Sequence, residues 1–175
     1  VISTEIADDL AEFAKANNLW LVEDCCDALG AEYDSKKAGV FGDLATFSFY
    51  PAHQMTMGEG GAVVTNNPLL FRIPKSFRDW GRDCWCETGE DNACRRRFSW
   101  KFDKLPAGYD HKFVYSHLGY NLKLTDMQAA IGCAQIKKID SFLQKRRGNY
   151  TCLKDKLSKY DKYFIFQEAE KKSLP

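Results

Sequence analysis

The run Leu19-Trp20-Leu21-Val22-Glu23-Asp24 decides the fold. Four apolar residues in a row, preceded by Asn17-Asn18 and followed by two carboxylates, read as a short, buried, parallel strand. The carboxylates then stand at the strand's carboxyl end, the edge of an α/β sheet where ligands sit. Upstream, Ser3 is placed to cap a helix whose apolar residues Ile6, Leu10, Phe13 and Ala14 recur at helical spacing. Downstream, residues 34–43 mix Asp, Ser, two Lys and two Gly and read as a loop or hairpin. Leu44 to Tyr50 reads as a second strand, Gly58-Glu-Gly-Gly61 as a turn, and Ala62 to Thr65 as a third strand. Asn66-Asn67-Pro68 opens a helix that runs to about Asp79.

Residues 80–112 break this rhythm. They are dense in Trp, Cys, Arg, Asp and Gly, and read as an ordered insertion held by something other than an apolar core. Periodicity returns in one long helix from Leu124 to about Arg147, with Leu124, Met127, Ala130, Ile131, Ala134 and Ile139 as its buried face. A further helix from Gly148 to about Lys159 leads to a strand over Tyr163–Phe166. Alternating helices and strands give an α/β class with a mostly parallel sheet flanked by helices.

Composition bounds the function. The 175 residues are 45% apolar and 28% charged, with a formal net charge of +1. That balance suits a soluble globular chain and gives no reason to expect a nucleic-acid or membrane-surface partner. No apolar run approaches the roughly 18 residues of a membrane span. No secretory leader stands in these residues, which points to the cytoplasm. The first residue is Val1 and the last, Pro175, comes after a strand-like run, so both ends look cut.

The seven cysteines are Cys25, Cys26, Cys84, Cys86, Cys94, Cys133 and Cys152. An odd count in a chain of this size argues against a secreted disulfide framework. Cys84-Trp-Cys86 and Cys94 lie together in the aperiodic stretch, among Arg82, Arg95, Arg96 and Arg97. Three thiols there suit a zinc ion or a 2Fe–2S cluster, with a fourth ligand from Cys25 or Cys26. The cationic side chains would offset the charge of bound thiolates. Free buried thiols fit the same spacing, and the residues alone leave the three readings open.

A second set of residues falls after the strands: Asp24, Ser48, His53 in the turn Pro51-Ala-His, and the Gly58–Gly61 turn. An ionised Asp can hold a pyridinium N–H, and a Ser hydroxyl with loop amides can hold a phosphate. Each is as readily a cap, a turn residue or a structural histidine when taken alone.

In order along the chain, Leu21-Val-Glu-Asp-Cys-Cys-Asp-Ala-Leu-Gly-Ala31, Phe41-Gly-Asp43, Phe47-Ser-Phe-Tyr-Pro-Ala-His53, Gly58-Glu-Gly-Gly-Ala-Val-Val-Thr65 and Gly119-Tyr-Asn-Leu-Lys-Leu-Thr-Asp-Met-Gln-Ala-Ala130 resemble the sugar aminotransferases of the DegT/DnrJ/EryC1 type. The resemblance implies the large domain of a fold-type I, vitamin-B6-dependent enzyme, with the start of its small C-terminal domain. On this reading residues 1–80 are the C-terminal part of the cofactor-binding domain, 81–118 a cluster-binding loop region, and 119–175 the long helix and the start of the small domain. The family's chain is about twice this length or more, so the stretch by itself is expected to be inactive.

His53 stands where the family keeps its Schiff-base lysine, so no covalent link to the cofactor can form there. That replacement belongs to the family's sugar-nucleotide 3-dehydrases. Within them, the set Cys26, Cys84, Cys86 and Cys94 resembles the ligands of a 2Fe–2S cluster in the branch acting on CDP-4-keto-6-deoxy-D-glucose.

The resemblance then implies pyridoxamine 5′-phosphate (PMP, the amine form of PLP) with Asp24 on its ring nitrogen. Asp27 falls where relatives face the ring's 3-hydroxyl, Ser48 on the phosphate, and Asn121 on the phosphate of a neighbouring subunit in a homodimer. His53 becomes the base that takes a proton from the cofactor's C4′ as the 3-hydroxyl leaves. A flavin/iron–sulfur reductase supplies electrons singly, and the product belongs to 3,6-dideoxyhexose formation for bacterial lipopolysaccharide. The rival readings are a cluster-free B6-dependent dehydratase or aminotransferase, and a non-catalytic zinc-binding homologue.

Overall fold

A computed structural model describes residues 5–87, 89–90 and 92–175. The expected cap Ser3 lies outside the described residues. The chain divides into two compact units: Val1–Asn66 with Leu124–Pro175, and Asn67–Lys123.

The first unit begins with helix α1 (Glu5–Ala16). Its Ala14 is buried, whereas Leu10 and Phe13 are exposed, so the expected apolar face is covered only in part. Strand β1 (Val22–Asp24) starts later than the apolar run, because Leu21 N–H bonds to the Asp43 carboxylate and not to a strand partner. β1 lies at a sheet edge and Val22 is exposed, which corrects the expectation of a fully buried strand.

The 34–43 segment begins with the turn and second strand of a hairpin between β2 (Glu32–Tyr33) and β3 (Lys36–Lys37). Asp34 and Ser35 both take positive φ, 46° and 65°, as a two-residue hairpin turn of the right twist requires. β4 (Leu44–Ser48) pairs parallel with β1, Asp24 opposite Thr46, and antiparallel with β5 (Gly61–Val64). The order β1-β4-β5 therefore holds one parallel pair. β5 returns antiparallel because the connection after β4 contains no crossover helix.

The expected single long helix is two, α3 (Asp126–Ile136) and α4 (Ile139–Leu157), joined at Lys137-Lys138. No Gly or Pro marks that turn, so helical spacing runs straight through it. α3 starts on a capping box, with Thr125 Oγ accepting from Gln128 N–H and the Gln128 side chain reaching back. Its buried residue is Gly132, which faces the Met57 side chain. Leu124, Met127, Ala130, Ile131 and Ala134, expected inside, are exposed. α4 passes through Gly148 without a break. Tyr163–Phe166 is not a strand, and Ile165 is fully exposed. The last strand is β6 (Ser173–Leu174), paired with β2. The unit's buried residues include Cys25, Tyr33, Ala45, Met55, Met57 and Leu143.

The second unit opens with helix α2 (Pro68–Arg78), capped by Asn67 Oδ1 accepting from Leu69 N–H at 2.9 Å. Beyond α2 the chain runs mostly in turns, in keeping with its composition. Two isolated bridges, Asp79 with Asn121 and Arg82 with Tyr115, tie the two ends of this irregular stretch. They bring Gly119 against Gly81 so closely that a Cβ on Gly119 would stand 2.0 Å from the Gly81 nitrogen. Among the described residues no helix is long and apolar enough to cross a membrane.

Candidate active site and sulfur site

The parallel pairing of β1 and β4 puts both carboxyl ends on one side, so the loops after them share one edge. Glu23 and Asp24, adjacent in the sequence, do different work. Glu23 turns to the 39–42 loop, where its carboxylate accepts N–H bonds from Gly39, Phe41 and Gly42 at 2.6–2.8 Å. That carboxylate is an architectural tie. Asp24 stays exposed, with Oδ1 accepting from Thr46 Oγ1 and from Cys26 N–H, both at 3.2 Å. Hydrogen bonds from the Cys26 thiol and backbone, then from Thr46, hold its carboxyl below the ordinary range.

The two neighbouring cysteines differ as sharply. Cys25 is 3% exposed, and its thiol is pushed up to about 11 by burial and then by Glu23 and Asp24. Cys26 is half-buried. Its thiol is also raised, chiefly by its hydrogen bond to Asp24.

Past β4, the turn from Tyr50 to His53 closes on His53 N–H donating to the Tyr50 carbonyl at 3.0 Å. This turn aims the His53 ring back at the β1 loop. His53 Nδ1 lies 2.5 Å from Asp27 Oδ1, and Gln54 Nε2 donates to the Asp27 carbonyl at 2.6 Å. The Tyr50 ring stands edge-on to His53, 5.8 Å between centroids. Asp27, expected to face a ring hydroxyl, therefore has its carboxylate on His53. With that carboxylate accepting from Nδ1–H, the free lone pair of a neutral His53 sits on Nε2. Ser48, at the end of β4, accepts from Tyr50 N–H at 3.3 Å. Asn121 belongs to the second unit, where its side chain is exposed and its backbone bridges to Asp79.

In the second unit Cys84, Cys86 and Cys94 line one cavity of about 230 Å³ with Arg82, Arg97 and His111. Arg95 and Arg96, expected to contribute charge, are not in its lining. Arg97 is clamped by Asp110, Nε at 2.9 Å and Nη2 at 2.8 Å, which holds the Asp110 carboxyl below its ordinary range. Among the described residues no three His, Cys, Asp or Glu side chains are gathered tightly enough to hold a metal ion. Cys26 belongs to the first unit. His111 has no motif around it and gives no signal in the sequence. It is fully buried with its Nε2 3.2 Å from Cys94 Sγ.

The model of the DegT/DnrJ/EryC1/StrS aminotransferase family matches residues 5–174. The chain is 53% identical over 167 residues to the lipopolysaccharide biosynthesis protein RfbH of Salmonella typhimurium, covering 95% of this chain and 38% of that one. It is 56% identical over 152 residues to the dTDP-4-dehydro-2,6-dideoxy-D-glucose 3-dehydratase of Saccharopolyspora spinosa, covering 87% and 33%. Among solved structures it resembles Escherichia coli GDP-4-keto-6-deoxy-D-mannose-3-dehydratase with bound hydrated PLP, with a TM-score of 0.67 and 28% identity over 86% of this chain and 37% of that one. The chain thus spans 33–38% of the length of these relatives. By its motifs, its fold and these likenesses, the chain belongs to the DegT/DnrJ/EryC1/StrS aminotransferase family.

Proposed function

We propose that the protein removes the 3-hydroxyl of a nucleotide-linked 4-keto-6-deoxy sugar, CDP-4-keto-6-deoxy-D-glucose, using pyridoxamine phosphate and a 2Fe–2S cluster. The observation that carries this reading is His53 in the family's lysine position, with its Nδ1 on Asp27 at 2.5 Å. The names of the two relatives above 50% identity support the sugar class: one is a 3-dehydratase and the other serves lipopolysaccharide formation.

The residue types present suit both groups, though the cysteines are not drawn together tightly in the described residues. Asp24 keeps an ionised carboxylate at the strand edge, suited to a pyridinium N–H. Ser48 there, and Asn121 from a second copy in a homodimer, would hold the phosphate. Cys84, Cys86 and Cys94 share a cavity whose lining mixes the cations Arg82, Arg97, Lys112 and Lys123 with the carboxylates of Asp79, Glu87 and Glu90, and the cations would offset thiolate charge. Cys26 completes the set; its half-burial favours it over the buried Cys25.

When bound, the B6 ring supplies an electron sink and the cluster supplies electrons one at a time. The chain's own part is proton handling. His53 takes up a proton on Nε2, because Asp27 commits the other ring nitrogen as a donor. Asp27 also stabilises the imidazolium that results. A reductase with flavin and iron–sulfur centres is the partner this scheme needs, in a bacterial cytoplasm.

The test is an anaerobic preparation at the full length of the gene, with a visible spectrum and assays of iron, sulfide and zinc. Iron and sulfide near two per chain, lost in Cys84→Ser, support the reading. Zinc, or no metal, overturns its electron-transfer half. A second reading, a cluster-free B6 dehydratase, is favoured by the absence of a tight metal-ligand group among the described residues. It requires full turnover without iron.

A further inference from the structure

We infer that His111 is a positioning residue that donates a hydrogen bond to the Cys94 sulfur and raises the reduction potential of the iron–sulfur centre held there. The inference rests on the proposed ligand set.

His111 is a buried polar residue of the second unit, with none of its surface exposed. Its ring lies flat on Trp100, 4.5 Å between centroids and 16° between planes, with Trp85 6.3 Å away. Its backbone N–H bonds to the Arg97 carbonyl at 3.1 Å, and the Asp110 before it clamps the Arg97 side chain. The ring is therefore held from both sides, with Nε2 3.2 Å from Cys94 Sγ. Arg96 N–H points at the same sulfur from 3.4 Å.

Arg96 N–H donates to this sulfur, and Nε2 can either accept from a Cys94 thiol or donate to a proton-free sulfur. A sulfur bound to iron carries no proton, so His111 must be the donor, through Nε2–H. The cost of this arrangement is visible, since Nδ1 is buried with no partner. A phenylalanine would stack on Trp100 equally well and leave no orphan nitrogen. The contact with Cys94 is what a histidine adds.

A hydrogen bond donated to a ligand sulfur favours the reduced, more negative centre. In His111→Phe the stack remains and the donor is gone. The equilibrium for reduction is expected to fall about tenfold, or 59 mV for one electron, with iron content unchanged. His111→Gln, which keeps an N–H donor, is expected to recover part of the shift. In the unmodified protein labelled with ¹⁵N-histidine, pulsed EPR of the reduced centre should show one weak nitrogen coupling.

That measurement needs no variant, so it decides even if His111→Phe fails to fold. An unchanged potential in an iron-loaded His111→Phe, no nitrogen coupling, or a coupling as large as a direct ligand's would overturn the inference. Absence of iron and sulfide in the unmodified protein is a different failure, that of the cluster itself.

Discussion

The two units build their sites by opposite means. In the first, regular strands set the geometry. β1 and β4 run parallel, and Asp24, Ser48 and the loop carrying His53 emerge at one edge because strand register puts them there. In the second, turns bring Cys84, Cys86, Cys94 and His111 round one cavity, and charge pairs and stacked rings hold them: Arg97 with Asp110, Trp100 on His111, and Lys75 with Glu87. A proton-transfer site gains from a base whose direction is locked by a neighbouring carboxylate. A thiolate site gains from N–H donors and cationic walls. On the proposed function, the first unit supplies the directed base, His53 on Asp27, and the second the sulfur site, with Arg96 N–H and His111 at Cys94.

The sharpest way to break that comparison is to disable each half separately. His53→Asn is expected to lower turnover about 10²–10⁴-fold while iron content stays whole. Cys84→Ala should abolish turnover with loss of visible absorbance, while B6 binding persists. If either substitution removes both iron and B6, the division of labour between the units is wrong.

Next in size is Asp27→Asn, which keeps the shape but weakens the partner of His53 Nδ1. A fall of about tenfold in kcat is expected, on the scale of one charge-assisted hydrogen bond, with KM little changed. Asp27→Glu should restore part of it. A change in KM alone would put Asp27 on the substrate and not on the base.

Glu23→Gln tests the architectural carboxylate beside the functional one. Three backbone N–H groups lose a charged acceptor, so stability should fall by about 2 kcal/mol, measured by denaturant unfolding. If unfolding is unchanged and B6 affinity falls, Glu23 belongs with Asp24.

The smallest effect is chemical. At pH 8 Cys25, with its thiol pushed up to about 11, should resist alkylation, whereas the exposed Cys133 and Cys152 react. The raised value sets the sign: the thiolate is scarce below about 11 and grows as pH rises toward it. Peptide mass spectrometry after brief iodoacetamide treatment reads the order, and early labelling of Cys25 would mean that the β1 edge opens readily.

Much of the chain could be read residue by residue. The three strands of the first sheet, the hairpin near Asp34-Ser35, the Asn67-Pro68 helix start and the irregular character of residues 80–112 all come from local chemistry, whereas the strand expected over Tyr163–Phe166 does not form. Where the reading failed, nonlocal packing had overridden it. Periodicity ran through Lys137-Lys138 because a turn made of ordinary residues leaves no mark. Met127 and Ile131 have helical spacing but lie outside, since contact with Met57 selects the Gly132 side of α3. Leu21 looked like strand and is bound to Asp43 instead.

The sequence by itself determined which chemistries were available: a histidine where a lysine is usual, an aspartate two residues before a cysteine, and three thiols in eleven residues among arginines. Those are properties of residue type and spacing. Tertiary structure alone decided their partners. Asp27 reaches His53 across 26 residues, and His111 reaches Cys94 across 17, because hydrogen bonds of 2.5 and 3.2 Å depend on where turns bring backbones together, and no local pattern encodes that distance.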